Sequence, residues 1–213
     1  MRNIIGQPKS AFDIRQVMDD GKILLVNLSK GRLGDINANL IGLILVGKIL
    51  MAALSRVDVV GTDFPPFYLY IDEFQNITTD SISTILSEAR KYKLSLNVAH
   101  QFIAQLDQKI RDAVFGNVGS IVSFRISAED AEYLEKQFTP VFSAKDLMNI
   151  DNLNACVKLL VNGRPEKPFN IKEGFPDRGN PSMIDSLKHL SYLKYGGDRE
   201  DVEAKILAKY KKG

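Results

Sequence analysis

Apolar residues in this chain come in short continuous runs, and the runs alternate with segments of helical periodicity. Ser10 with Asp13 three residues on gives a capping-box-like start. Gly21 closes the short helix that follows, with Ile14, Val17 and Met18 on its apolar side. KILLVNL, Lys22 to Leu28, predicts a strand, its unbroken apolar run being that of a sheet covered on both faces. After the loop SKGRLG, Asp35 is the expected N-cap of a long helix to about Leu54. That helix is apolar nearly all round and so expected to be central. Val57 to Pro66 is a connection. A second strand, Phe67 to Ile71, ends in two acids. Thr79 opens a helix through Tyr92, with Ile82, Ile85, Leu86 and Ala89 at helical spacing.

Leu94 to Ala99 is the third expected strand, closing on His100 and Gln101, and a helix over Ile103 to Val114 stops at Gly116. Ser120 to Ile126 is the fourth strand. Ser127 and Asp130 cap a helix carrying Ala131, Leu134 and Phe138, and Pro140 ends that region. A fifth strand, Ala155 to Val161, reaches the Asn162-Gly163 turn, with Phe169 to Ile171 as its antiparallel partner. Residues 173–182 (EGFPDRGNP and the serine after it) read as a linker. Helices then follow around Met183 to Leu193 and Asp198 to Lys211. The second has Val202, Ile206 and Tyr210 on one face, as a docked or partner-seeking tail would. The alternation predicts an α/β fold, a mostly parallel sheet of about five strands flanked by helices.

At 213 residues the chain is about one domain, or one plus a tail. A hydrophobic fraction of 45% and a charged fraction of 25% exclude collagen-like, coiled-coil and wholly disordered chains. The net charge of +2 does not advertise nucleic-acid binding, so any DNA contact needs local basic residues or a site built from several subunits. A single cysteine, Cys156, makes neither an internal disulfide nor a cysteine-rich zinc site. Residues 1–10 lack the apolar core of a signal peptide. The greasiest run, Leu40 to Leu54, contains Lys48 and falls short of the ~20 residues of a membrane span, which favours a buried helix in a soluble, cytoplasmic chain.

The chemistry concentrates where strands end. Phe67-Tyr68-Leu69-Tyr70-Ile71-Asp72-Glu73 has the form of a Walker B motif. A buried strand carries Asp72 to the carboxyl edge of a parallel sheet, where it can hold Mg²⁺ through water, and Glu73 can polarise an attacking water. The same residues also suit a strand ending in a turn with two solvated acids. Gln101, at the end of the next strand, can hydrogen-bond a water and a phosphate oxygen, or simply cap the next helix. His100 reads as a structural histidine. With His189 in the tail there is no pair at metal spacing and no zinc is expected. Arg90, in SEARKYK, suits either a helix C-terminus beside Lys91 and Lys93 or a γ-phosphate offered by a neighbouring subunit. Arg125 needs an acid, and Glu129 or Asp130 is close in sequence.

LLVNLSKGRLGDINANLIG, FYLYIDEFQN, LSEARKYKLSLNVAHQFIAQL and IRDAVFGNVGSIVSFRISAEDAEYL, in that order, resemble the C-terminal half of the HerA/FtsK-class motor ATPase domain. They are most similar to its TraG/TraD-like branch, the coupling proteins of type IV secretion. The resemblance runs through roughly Arg2 to Ile171. It implies a RecA-like P-loop fold, a hexameric ring, and ATP- and Mg²⁺-dependent pumping of DNA together with secretion-apparatus components. With the composition shift after Lys172, the expected division is a motor portion over 1–172, a linker over 173–182 and a helical tail over 183–213. Asp72 and Glu73 match the family's Walker B pair, Gln101 its sensor and Arg90 its trans-acting arginine. Lys30, Arg32, Lys91 and Lys93 are candidate DNA contacts, with solvated surface the favoured reading of each.

The departure from the pattern is a missing G-x-x-x-x-G-K-[ST] loop. Gly21-Lys22 and Gly47-Lys48 are each followed by Ile. This chain alone is therefore expected to bind neither ATP nor Mg²⁺ tightly and not to hydrolyse ATP. A non-catalytic assembly or regulatory module, and a protein-export motor of the same superfamily, are the alternatives. Association with the inner face of the cytoplasmic membrane is implied only for a full-length relative.

Overall fold

A computed structural model describes residues 2–59, 63–175 and 177–210. Helices α1 (Arg2–Ile5), α2 (Ile14–Asp19), α3 (Lys30–Leu33) and α4 (Asp35–Leu54) precede strand β1 (Phe67–Ile71). Helix α5 (Asp80–Glu88), β2 (Leu94–Val98), α6 (Gln108–Asn117), β3 (Ile121–Ser123), α7 (Ala128–Phe138) and α8 (Ala144–Met148) follow. The chain closes with β4 (Asn154–Lys158), β5 (Leu160–Val161), β6 (Arg164–Pro165), β7 (Phe169–Lys172), α9 (Ile184–Tyr195) and α10 (Arg199–Tyr210). The residues group into two compact units, one of 1–67, 92–94 and 177–213, the other of 68–91 and 95–176.

In the first unit α2 packs on α4. The α2 cap is Asp13, whose carboxylate accepts from the Arg15 and Gln16 N–H groups, so the helix starts past the expected Ser10. Arg56 is only 3% exposed. It is tolerable there because its Nε donates to Asp19 Oδ1 at 3.0 Å, its Nη1 donates to the Tyr92 carbonyl at 2.8 Å, and its guanidinium stacks on the Phe64 ring. Val202 and Ile206 of α10 are buried, and Asn3 Nδ2 donates to Glu203 at 2.8 Å. The side chain of Tyr210, and Lys211, lie outside the described residues.

In the second unit β1 and β2 form a two-stranded sheet. A separate sheet has the order β3-β4-β7 and is antiparallel throughout, with Val122 opposite Val157 and Cys156 opposite Asn170. The expected partnership of Phe169 to Ile171 is present, and Asn162-Gly163, both with positive φ, turn β5 into β6. Ala131, Leu134 and Phe138 of α7, Leu147 of α8, Ile103, Ile150 and Cys156 make the core. Burial pushes the Cys156 thiol up and leaves it unreactive. Helix α8 begins with a complete capping box between Ser143 and Asp146, whose hydrogen bonds hold the Asp146 carboxyl below its ordinary value. Ser143→Ala is expected to cost about 1 kcal/mol, read from urea denaturation of the chain.

Several expectations need correction. Lys22 to Leu28 is not a strand: Ile23 and Leu25 are 88% and 89% exposed, and no described strand pairs with the segment. An apolar run has the propensity for a ladder but makes one only against a neighbour. For the same reason the mostly parallel sheet of about five strands is, among the described residues, the β1-β2 pair, the antiparallel β3-β4-β7 sheet and the antiparallel β5-β6 pair. Lys30 to Leu33 of the expected loop form a helical turn, and Asp35 is the first residue of α4, with Gly34 at the cap. Helix α4 is not central all round. It buries the stripe Ala38, Gly42, Val46, Ile49, Leu50 and Ala53 and leaves Ile36 and Met51 exposed. Counted to Asp58, it is long and apolar enough to cross a membrane by length and composition, with a third of that window buried. The expected helix from Ile103 splits into a 3₁₀ turn at Ile103–Gln105 and α6.

Candidate active site

Strands β1 and β2 run in the same direction. The Phe67 N–H bonds the Lys93 carbonyl before the strands begin, and beyond their other ends the Ala99 N–H bonds the Ile71 carbonyl at 2.9 Å. Both strands therefore deliver their C-terminal residues to one rim. There Asp72 is exposed, with Oδ1 accepting from the Glu73 N–H at 2.9 Å. Glu73 turns the chain through the left-handed region, at φ 50° and ψ 44°. A non-glycine residue there costs of order 1–3 kcal/mol, so the surroundings must hold it. Phe74, wholly buried, does part of this, and its N–H reaches across to the Ala99 carbonyl at 3.0 Å.

The consequence is a short bridge between the two strand ends. Gln101 Nε2 donates to Glu73 Oε1 at 3.0 Å. The other carboxylate oxygen, Oε2, accepts from Gln75 Nε2 at 2.6 Å. The sequence reading missed Gln75. The available signal was an amide two residues after the glutamate, but the contact depends on the left-handed turn at Glu73.

Behind Gln101, the loop is tied to α7. Asp130, 5% exposed, accepts the Ile103 N–H on its carboxylate at 3.2 Å, and its own N–H caps onto Ser127 Oγ. His100 is held below its ordinary value of 6.5 by burial, with the Asp130 charge pulling back in part. The unfolded chain thus takes up the His100 proton at higher pH than the folded one. The stability contributed by the neutral imidazole is complete above about pH 6.5 and is lost as pH falls through the lower folded value. Between pH 7 and 5 the urea midpoint is expected to fall, and His100→Gln is expected to remove this part of the slope.

The other candidates are not at this rim. Arg90 is exposed on a 3₁₀ turn, Ala89–Tyr92, which precedes β2 and so lies at the opposite strand end from Gln101. Lys91 pairs with Glu88 at 3.6 Å, and Lys93 with Asp63 at 3.1 Å. Lys30 pairs with Asp35 at 3.8 Å, and Arg32 is exposed on α3. Arg125 is paired with neither expected acid. It lies beyond the end of β3, exposed, and donates to Asn152 Oδ1 at 3.2 Å, because Asp130 is turned inward to Ile103. As for a metal, Asp72 is a single carboxylate suited to water-mediated contact. Among the described residues no group of three or more potential metal ligands converges.

Residues 66–140, which contain the whole of this rim, match the family described as the TraM recognition site of TraD and TraG. The segment resembles TraG/TraD coupling proteins. No curated protein matches the chain. Among solved structures, the plasmid coupling protein TrwB with the GTP analogue GDPNP is similar at a TM-score of 0.61 and 19% identity, over 80% of this chain and 45% of TrwB. TrwB with ADP and Mg²⁺ gives the same figures. The genome-packaging NTPase B204 of Sulfolobus turreted icosahedral virus 2, with AMPPCP, has a TM-score of 0.53 at 13% identity, over 81% of this chain and 76% of that one. The chain thus shares the α/β fold of these proteins and spans less than half the length of the TrwB chains.

Proposed function

We propose that this chain is the hydrolysis-sensing half of an ATP-driven DNA translocase of the conjugation and type IV secretion class, with a RecA-like core. The observation that carries the reading is the 3.0 Å contact between Glu73 and Gln101 at neighbouring ends of two parallel strands. An acid that activates water and an amide that detects the γ-phosphate must share one rim to act on the same nucleotide. In this reading Glu73 orients and deprotonates the attacking water. Gln101 leaves Glu73 to bond a phosphate oxygen, and Arg90, at the far strand end, enters a neighbour's site in a hexameric ring. Mg²⁺, held through water by Asp72, would neutralise charge on the β and γ phosphates. The phosphate cradle is supplied by residues outside these 213, so the chain alone binds ATP and Mg²⁺ weakly and does not turn ATP over.

DNA would be gripped by its backbone, with Lys30, Arg32, Lys91 and Lys93 as candidate contacts. The ring would work in the cytoplasm, at the inner face of the membrane, with secretion-apparatus components. The 1–172 motor portion, the 173–182 linker and the 183–213 tail remain the proposed division of labour.

A second reading is favoured by the printed description of the matched family. Residues 66–140 would then be a docking module for a TraM-type partner, without catalysis. A polypeptide joining this chain to its phosphate-binding half decides between them. DNA-stimulated ATPase activity supports the translocase, stimulation by protein cargo alone supports an export motor, and partner binding without turnover supports the module.

A further inference from the structure

We infer that Gln75 is a positioning residue that fixes the Glu73 carboxylate on the rim independently of Gln101. The inference deepens the nucleotide-site reading and rests on it for its purpose, though not for its geometry.

An ionised carboxylate only accepts hydrogen bonds, and each Glu73 oxygen takes one amide, Oε1 from Gln101 and Oε2 from Gln75. The two amides are not equivalent. Gln101 is exposed and belongs to the neighbouring strand's end, whereas Gln75 is half-buried on the same turn as Glu73. That turn is pinned beneath by the buried Phe74. It is closed by Asn76, whose backbone N–H and side-chain Nδ2 both bond the Glu73 carbonyl, at 3.0 and 3.1 Å. A Gln101 that moves to a phosphate oxygen therefore leaves Glu73 with one donor still in place. The acid keeps its direction at the moment it has to meet water.

The second observation is the other end of the Gln75 amide. Its Oε1 is buried with no hydrogen-bond partner. Leaving a buried carbonyl unsatisfied costs free energy, so an amide is a poor filler for this position. Nor can it be relieved by turning the amide over, because that would aim Oε1 at the Glu73 carboxylate. The orphaned carbonyl is what remains when the NH₂ end is committed to Glu73. A residue present only for packing would be better apolar.

The test uses the chain itself, with no nucleotide, and follows the side-chain NH₂ resonances of Gln75 and Gln101 by ¹⁵N NMR. Both are expected shifted from free glutamine, and both are expected to return toward it in Glu73→Met, which leaves neither amide an acceptor. In Gln101→Met the Gln75 signal is expected to stay where it is. In Gln75→Met the orphaned carbonyl goes with the amide, so the melting temperature is expected to hold or rise while the Gln101 signal exchanges with water at least 10-fold faster. The inference is overturned if Gln75→Met lowers the melting temperature and leaves Gln101 unmoved. It is equally overturned if Gln101→Met collapses the Gln75 signal, or if Glu73→Met leaves Gln75 unchanged. These readouts need no turnover, so the ATPase experiment above can fail without touching them.

Discussion

Glu73→Gln, in a polypeptide that joins this chain to a phosphate-binding half, is expected to lower ATP turnover by about 10²–10⁴-fold while leaving nucleotide binding nearly intact. The substitution keeps the size and the turn of the side chain but removes its capacity to take a proton from water. It also replaces a pure acceptor by a group that presents NH₂ to one of the two amides now bonded to it, so the contact with Gln101 at 3.0 Å or with Gln75 at 2.6 Å is lost. A steady-state assay with a parallel nucleotide-binding titration separates the two effects. Turnover within a factor of about three of the parent would remove Glu73 from the role of base.

The largest loss of stability is expected at Phe74→Ala, about 3–5 kcal/mol. The ring is wholly buried and follows Glu73 directly in the chain, on a turn whose first residue is held in the left-handed region. Removing it leaves a cavity and withdraws the support for that backbone at once. Urea denaturation followed by far-UV dichroism reads the loss. A change under about 1 kcal/mol would mean that the turn stands without the ring.

The rim was legible from the sequence because its logic is local. An apolar run sets a strand, and the residue after the run lands at the strand's end. Two strands joined by a helix run the same way, so Asp72, Glu73 and Gln101 had to meet. What was not legible depends on neighbours or on one unusual dihedral. Lys22 to Leu28 has a strand's pattern and lacks a described partner. Arg125 lost its expected acid because Asp130 was taken by a backbone N–H. Gln75 reaches Glu73 only because φ at residue 73 is positive, which no periodicity reveals. Helix α4 looked central because its sequence is apolar on every side, yet one stripe suffices to bury it.

The bare segment from Lys22 to Leu28 bears on how the chain behaves in a tube. Ile23 and Leu25 are almost fully exposed in an apolar run with strand propensity, which makes the run a candidate for pairing between molecules. Leu25→Lys, which puts a charge in the middle of that run, is expected to lower self-association at high protein concentration, read by light scattering.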